Sequence, residues 1–165
     1  MTRVPRALVR VISGGQTGVD RAALDAARSA GLALGGWCPP GRAATSGPIP
    51  AEYPLRETPE ERSPAAPDVP RSLRTEWNVR DADAVLVLRP LAAPIDPGTE
   101  WTVRCAGRLG RALLVLDPGD AGAPARVRNW LTALGVRTLA VAGPSEELQP
   151  GIGACVRRLL EEAFT

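Results

Sequence analysis

Apolar and polar positions along this chain of 165 residues follow two periods, and the switches between them predict its elements. Val9, Val11 and Ile12 make a short β-branched run that Ser13-Gly14-Gly15 breaks, so a first strand ends near Ser13. Val19, Ala22, Ala23, Ala26 and Ala30 then recur at helical spacing, with Arg21, Asp25 and Arg28 on the opposite side and Thr17 and Asp20 fitting a capping box at the start. Gly31 stops that helix, and Leu32 to Gly36 reads as a second strand. Two helical turns follow from Ser72 to Arg80, and then Ala84 to Leu88, continuously apolar as a strand covered on both faces should be. A third helix starts at Gly98-Thr99, carries Trp101, Cys105 and Ala106, and closes at Gly107 or Gly110. Ala112 to Leu116 and Thr138 to Ala142 are the remaining strands. Pro124 opens the helix between them, with Val127, Trp130, Leu131 and Leu134, and a last helix after Pro150-Gly151 carries Ile152, Cys155, Val156, Leu159 and Ala163.

Strands alternating with helices at this spacing predict an α/β fold: one Rossmann-like domain over 1–165, with an open parallel five-stranded sheet, helices on both faces and strand order 2-1-3-4-5. Nine prolines between Pro39 and Pro70 exclude helix interiors and central strands there. This excursion reads as an ordered flap anchored by Trp37, Ile49, Tyr53 and Leu55, with a mobile part from Glu57 to Pro67.

Composition narrows the chemistry. The basic residues are all arginine, and a net charge of +2 offers no broad footprint for nucleic acid. Histidine is absent, which removes the usual general base and the commonest metal ligand, so no metal site is expected. Three cysteines without C-x-x-C spacing indicate neither a zinc site nor a disulfide framework and fit a reducing cytoplasm, with Cys38 a buried structural thiol. No apolar stretch is long enough for a membrane span.

The stretch Val11 to Ala30 carries the candidate site. A helix that starts straight after a glycine turn presents free N–H groups and its positive dipole end to the cleft beyond the strand, which makes a phosphate or oxyanion cradle. GGQTG has neither the G-x-G-x-x-G spacing nor a P-loop lysine. With strands one and three adjacent, this turn and Asp96-Pro97-Gly98-Thr99 should lie side by side, so that two helix N-termini meet one ligand. Trp77 and Trp101 are expected to pack where helices meet the sheet.

The segments SGGQTGVDRAALDAA, GWCPPGR, GPIPAEYPLRET, RTEWNVRDADAVLVL and GTEWT together resemble the molybdenum cofactor carrier family, over most of the chain. The glycine turn is also similar to that of the DNA-processing protein DprA, and the fold to lysine-decarboxylase-like nucleotide hydrolases. The resemblance implies binding of molybdenum cofactor (molybdopterin) or a similar phosphorylated pterin, homo-oligomers, and molybdoenzymes as partners. It places Gly14, Gly15, Gln16, Thr17, Gly18 and Asp20 in a first binding loop with Arg21 close behind, and Gly98, Thr99 and Thr102 in a second. It adds Arg74, Thr75 and Asn78 from the helix before the third strand, Arg74 being the preferred cation. One departure is Ala43 to Gly47, where family members often carry an acidic pair. The alternatives are a nucleotide-processing hydrolase, in which Asp20 or Glu100 positions a water, and a DprA-like nucleic-acid binder, which the near-neutral charge disfavours.

Overall fold

The computed structural model describes residues 7–165. Five parallel strands form the main sheet: β1 (Arg10–Ile12), β2 (Ala33–Gly35), β3 (Ala84–Leu88), β4 (Ala112–Leu116) and β5 (Thr138–Ala142). Five α-helices accompany them: α1 (Val19–Ser29), α2 (Ser72–Arg80), α3 (Pro97–Arg108), α4 (Ala123–Leu134) and α5 (Ile152–Phe164). The fold class is the expected one, and these elements fall where the hydrophobic periods place them.

The order across the sheet is β2-β1-β5-β3-β4, which corrects the expected 2-1-3-4-5. β5 lies between β1 and β3, with Val11 opposite Leu139 and Val85 opposite Ala140, and β4 becomes an edge. Residue type does not distinguish these places, because β3, β4 and β5 are all short apolar runs. Burial does: every residue of β3 is fully covered, whereas Leu113, Leu114 and Val115 of β4 are only partly so. Counted from β5 as the first strand, the order reads 3-2-1-4-5, that of a doubly wound nucleotide-binding half. The topological switch point then falls between β5 and β3.

Alternating side chains of the strands feed two cores. On one face Val11, Leu86, Leu88, Leu139 and Val141 pack under α1, α4 and α5; on the other Ile12, Val85, Val87 and Ala140 pack under α2 and α3. Each such fully covered Leu, Ile or Val contributes about 1.5–3 kcal/mol of apolar burial.

The 39–70 excursion packs against α1. Ile49, Tyr53 and Leu55 pack on Leu24 and Cys38, while Trp37–Cys38 pairs in parallel with Arg56–Glu57. Arg42 organises the segment from within, its guanidinium donating to the carbonyls of Ile49, Pro50, Tyr53 and Leu55. The 57–67 part is tied to α2: the Ser72 hydroxyl accepts from the Ser63 N–H and donates to the Ala66 carbonyl, and the Ser63 hydroxyl donates to Glu76.

Candidate functional site

A cavity of about 160 Å³ opens at the carboxyl ends of the strands, at the switch point between β5 and β3. Four segments wall it: Gln16 and Asp20 after β1, Pro70 to Thr75 at the start of α2, Asp96 to Thr102 at the start of α3, and Ala142 to Ser145 leaving β5. The two turns singled out in the sequence do meet here, although β5 separates their strands. Gly143 makes the meeting possible, since a Cβ there would lie 2.2 Å from the Leu88 carbonyl and 2.7 Å from Val19.

An ion pair forms the floor. Arg74 Nη1 lies 3.2 Å from Asp20 Oδ2, with 14% and 3% of the two side chains exposed. The same carboxylate oxygen accepts the Gln16 N–H at 3.2 Å. Burial pushes the Asp20 carboxyl above its ordinary value, and the Arg74 charge and the Gln16 hydrogen bond only partly offset it. Burial likewise lowers the Arg74 guanidinium, with Asp20 opposing. Gly14 gives Arg74 its place, because a Cβ at that position would stand 1.9 Å from Nη1. Beside the pair, Arg71 opens α2 in a left-handed conformation and has no carboxylate partner among the described residues. Asp96 caps α3, taking the Thr99 N–H at 3.0 Å and the Thr99 hydroxyl at 2.7 Å. That leaves the Gly98 N–H of the first turn at the cavity wall.

Of the residues predicted to bind ligand, the structure brings Gln16, Asp20, Arg74, Thr75, Gly98, Thr99 and Thr102 to this cavity. The others have different work. Asn78 clamps the backbone of Trp37, accepting from its N–H and donating to its carbonyl. Arg21 points to the flap, donating to the Gly15 carbonyl and lying over Tyr53. Gly15 faces Leu55 and Ile49, and Gly18 packs on the loop after β5, a Cβ there standing 2.6 Å from the Pro144 carbonyl.

The capping box does not form: Gly18 is the N-cap, and the Thr17 hydroxyl donates to Glu147 and accepts from the Glu146 N–H. The first N–H of α1, on Val19, donates to the Pro144 carbonyl. The α1 end of the expected cradle is therefore covered by the 144–147 loop, and the donors at the cavity are those of Arg71, Arg74 and α3. Among the tryptophans, Trp101 is in the core as expected. Trp77 is not; it stands half-buried against Trp37 at 4.8 Å between ring centroids, under Arg80. Cys38 lies under the flap, its thiol pushed up by burial, and does not line the cavity. Glu100 is exposed and also off the cavity wall.

Sequence reasoning missed Arg71, which stands at the N-cap of α2 three residues before Arg74. It also missed the 142–145 wall, which follows from the strand order alone.

A doubly wound sheet with a cavity at its switch point, walled by charged, hydroxyl and apolar side chains, is the architecture of a Rossmann-like ligand-binding protein. Residues 11–164 match the model of the Circularly permutated YpsA SLOG family, and the chain belongs to that family. It is similar to the crystal structure, at 1.45 Å, of a Putative molybdenum carrier protein from Syntrophus aciditrophicus SB, with 32% identity over 96% of each chain and a TM-score of 0.84. No curated protein matches significantly. The resemblance read from the motifs and this structural likeness point to the same relatives.

Proposed function

We propose that the cavity holds the phosphate end of a phosphorylated small molecule, molybdenum cofactor or a similar pterin, and that the protein carries it without transforming it. The observation that carries this reading is Arg71, lacking a carboxylate partner among the described residues, beside Arg74 and the first turn of α3 in one cavity. Guanidinium forks and a helix N-terminus suit phosphate or molybdate oxygens. They do not suit direct ligation of molybdenum: among the described residues no cluster of His, Cys, Asp or Glu could hold a metal.

Size supports the same division of the ligand. At about 160 Å³ the cavity is smaller than the roughly 300–1,000 Å³ of sites that enclose drug-sized molecules. A phosphate fits inside, and a pterin ring would lie over the rim, where Pro70 and the 58% exposed Leu148 offer apolar surface. A hydrolase reading is less favoured, since Asp20 is held by Arg74 and Glu100 is off the cavity.

Mass spectrometry of gently purified protein should find a phosphorylated pterin. Calorimetric titration with inorganic phosphate should show Arg71→Gln weakening binding about tenfold or more, the worth of one charge-assisted hydrogen bond. Unchanged phosphate affinity in a folded Arg71→Gln protein would move the site elsewhere.

A further inference from the structure

Four charged side chains line the cavity, Arg71, Arg74, Asp20 and Asp96, and their formal charges cancel. Net charge therefore selects little among anions there, and the pattern of donors and acceptors decides. Many of the polar groups are spent inside the chain. The Thr75 hydroxyl donates to the Arg71 carbonyl at 3.4 Å and the Thr102 hydroxyl to the Gly98 carbonyl at 3.1 Å, while Thr99 occupies both oxygens of Asp96. The Gln16 side chain is tied to the flap, donating to the Ala43 carbonyl and accepting from the Thr45 N–H.

Asp20 differs from these. Only 3% of its side chain is exposed, yet it lines the cavity. Arg74 Nη1 and the Gln16 N–H both donate to Oδ2, and Oδ1 accepts no hydrogen bond among the described residues. Ser13 stands close enough to favour the ionised carboxylate, but its hydroxyl proton goes to the Val141 carbonyl at 2.7 Å.

An anion drawn to Arg71 and Arg74 thus meets a buried carboxylate. A fully ionised oxyanion has only acceptors to set against it, and both groups lose water without a compensating bond. A phosphate that still holds a proton has an O–H to give, and a charge-assisted hydrogen bond takes the place of repulsion. We infer that Asp20 selects for that proton: the cavity takes a terminal phosphate, free or as a monoester, whose P–O–H donates to Asp20, and it rejects sulfate and any phosphate that bridges two organic groups. The proton stays on the phosphate oxygen and no covalent bond changes. This rests on the reading of the cavity as a phosphate site and narrows its ligand to a monoester.

Calorimetric titration of the native chain separates the cases at about pH 6, where a phosphate monoester holds its last proton about half the time. Inorganic phosphate and methyl phosphate should each bind roughly tenfold or more tighter than sulfate and than dimethyl phosphate, which matches the protonated monoester in charge but has no proton to give. Asp20→Asn replaces the acceptor by an amide that can donate, and should bring sulfate to within about threefold of inorganic phosphate. The charge this variant adds to the site acts on both anions and drops out of their ratio. Circular dichroism checks its folding, and the native ratios decide even where it does not fold. A native chain that binds sulfate as tightly as phosphate, or a folded Asp20→Asn chain that keeps the native ratio, would overturn the proposal while leaving the cavity an anion site. A native chain that binds neither phosphate nor sulfate would overturn it together with the reading on which it rests.

Discussion

Asp20 and Arg74 face each other with little solvent between them, so removing one leaves the other stranded. The two are not equivalent, because a lone carboxyl can neutralise itself by taking a proton and a guanidinium cannot. Without Arg74, the Asp20 carboxyl, already raised by burial, rises further. The stability tied to its proton is fully present below the ordinary carboxylate value of 3.8 and is lost as pH climbs through the raised folded value. Arg74→Met should therefore cost about 3 kcal/mol in alkaline solution and progressively less toward acid. Urea titrations of variant and native protein across pH test this, and a loss that is independent of pH would refute it. Glycines offer a second contrast. Gly15 and Gly31 both have positive φ, 83° and 76°, but a Cβ on Gly15 would lie 2.6 Å from Leu55 and 2.9 Å from Ile49, whereas nothing lies near Gly31. Gly31→Ala should cost about 1 kcal/mol of backbone strain alone. Gly15→Ala should cost clearly more because the flap must also shift, and equal denaturation midpoints would argue against that account.

At the scale of elements, one side chain ties the flap together alongside its backbone hydrogen bonds. Arg42, itself at φ 52°, donates to four carbonyls of the 49–55 turn. Arg42→Met should loosen the flap while leaving the sheet intact. Hydrogen exchange should rise in residues 42–57 and stay unchanged in β3 and β5; equal exchange in both regions would show that the flap is held otherwise. Elements of this kind show unevenly in sequence. β3, continuous and apolar, was readable to the residue, as were β4 and β5, because a period or a run bounded by Pro and Gly marks each. Strand order was not readable: it depends on which face each helix covers, and Leu113 or Ala140 look alike until burial separates edge from centre. The site followed the same division. Arg74 and Thr75 of α2 and Gly98, Thr99 and Thr102 of α3 reached the cavity as the motifs placed them. Thr17, Arg21 and Asn78 did not, because polar side chains after a glycine turn or on a helix serve equally well as ties to a neighbouring loop, and no local pattern says which loop is near.

At the scale of the molecule, the order 3-2-1-4-5 counted from β5 means that the β5–α5 unit occupies the first place in space and the last in sequence. If spatial order governs the fold, a chain that starts at β5 should build the same sheet. α5 runs back from the cavity end of β5 alongside α1, so its end, Thr165, returns to the level at which β1 starts. A flexible linker can run from Thr165 to the start of β1, and each doubling of its length costs only about 0.6 kcal/mol. The new opening belongs between Leu134 and Gly135, both exposed, where the chain already turns with Gly135 at φ 62°. It sacrifices two backbone hydrogen bonds, from Gly135 to Thr132 and from Val136 to Leu131, about 1 kcal/mol each. The permuted protein should unfold cooperatively, with a stability lower by roughly 2–3 kcal/mol. If the cavity takes phosphate as proposed, the permuted protein should bind inorganic phosphate with the affinity of the native chain, because the cavity is walled by 142–145 whichever unit is made first. Urea denaturation followed by tryptophan fluorescence, with calorimetry on the same sample, measures both. A permutant that folds but loses phosphate binding would show that the β5 exit is set by the 134–138 connection, and one that fails to fold would show that chain order contributes to the sheet.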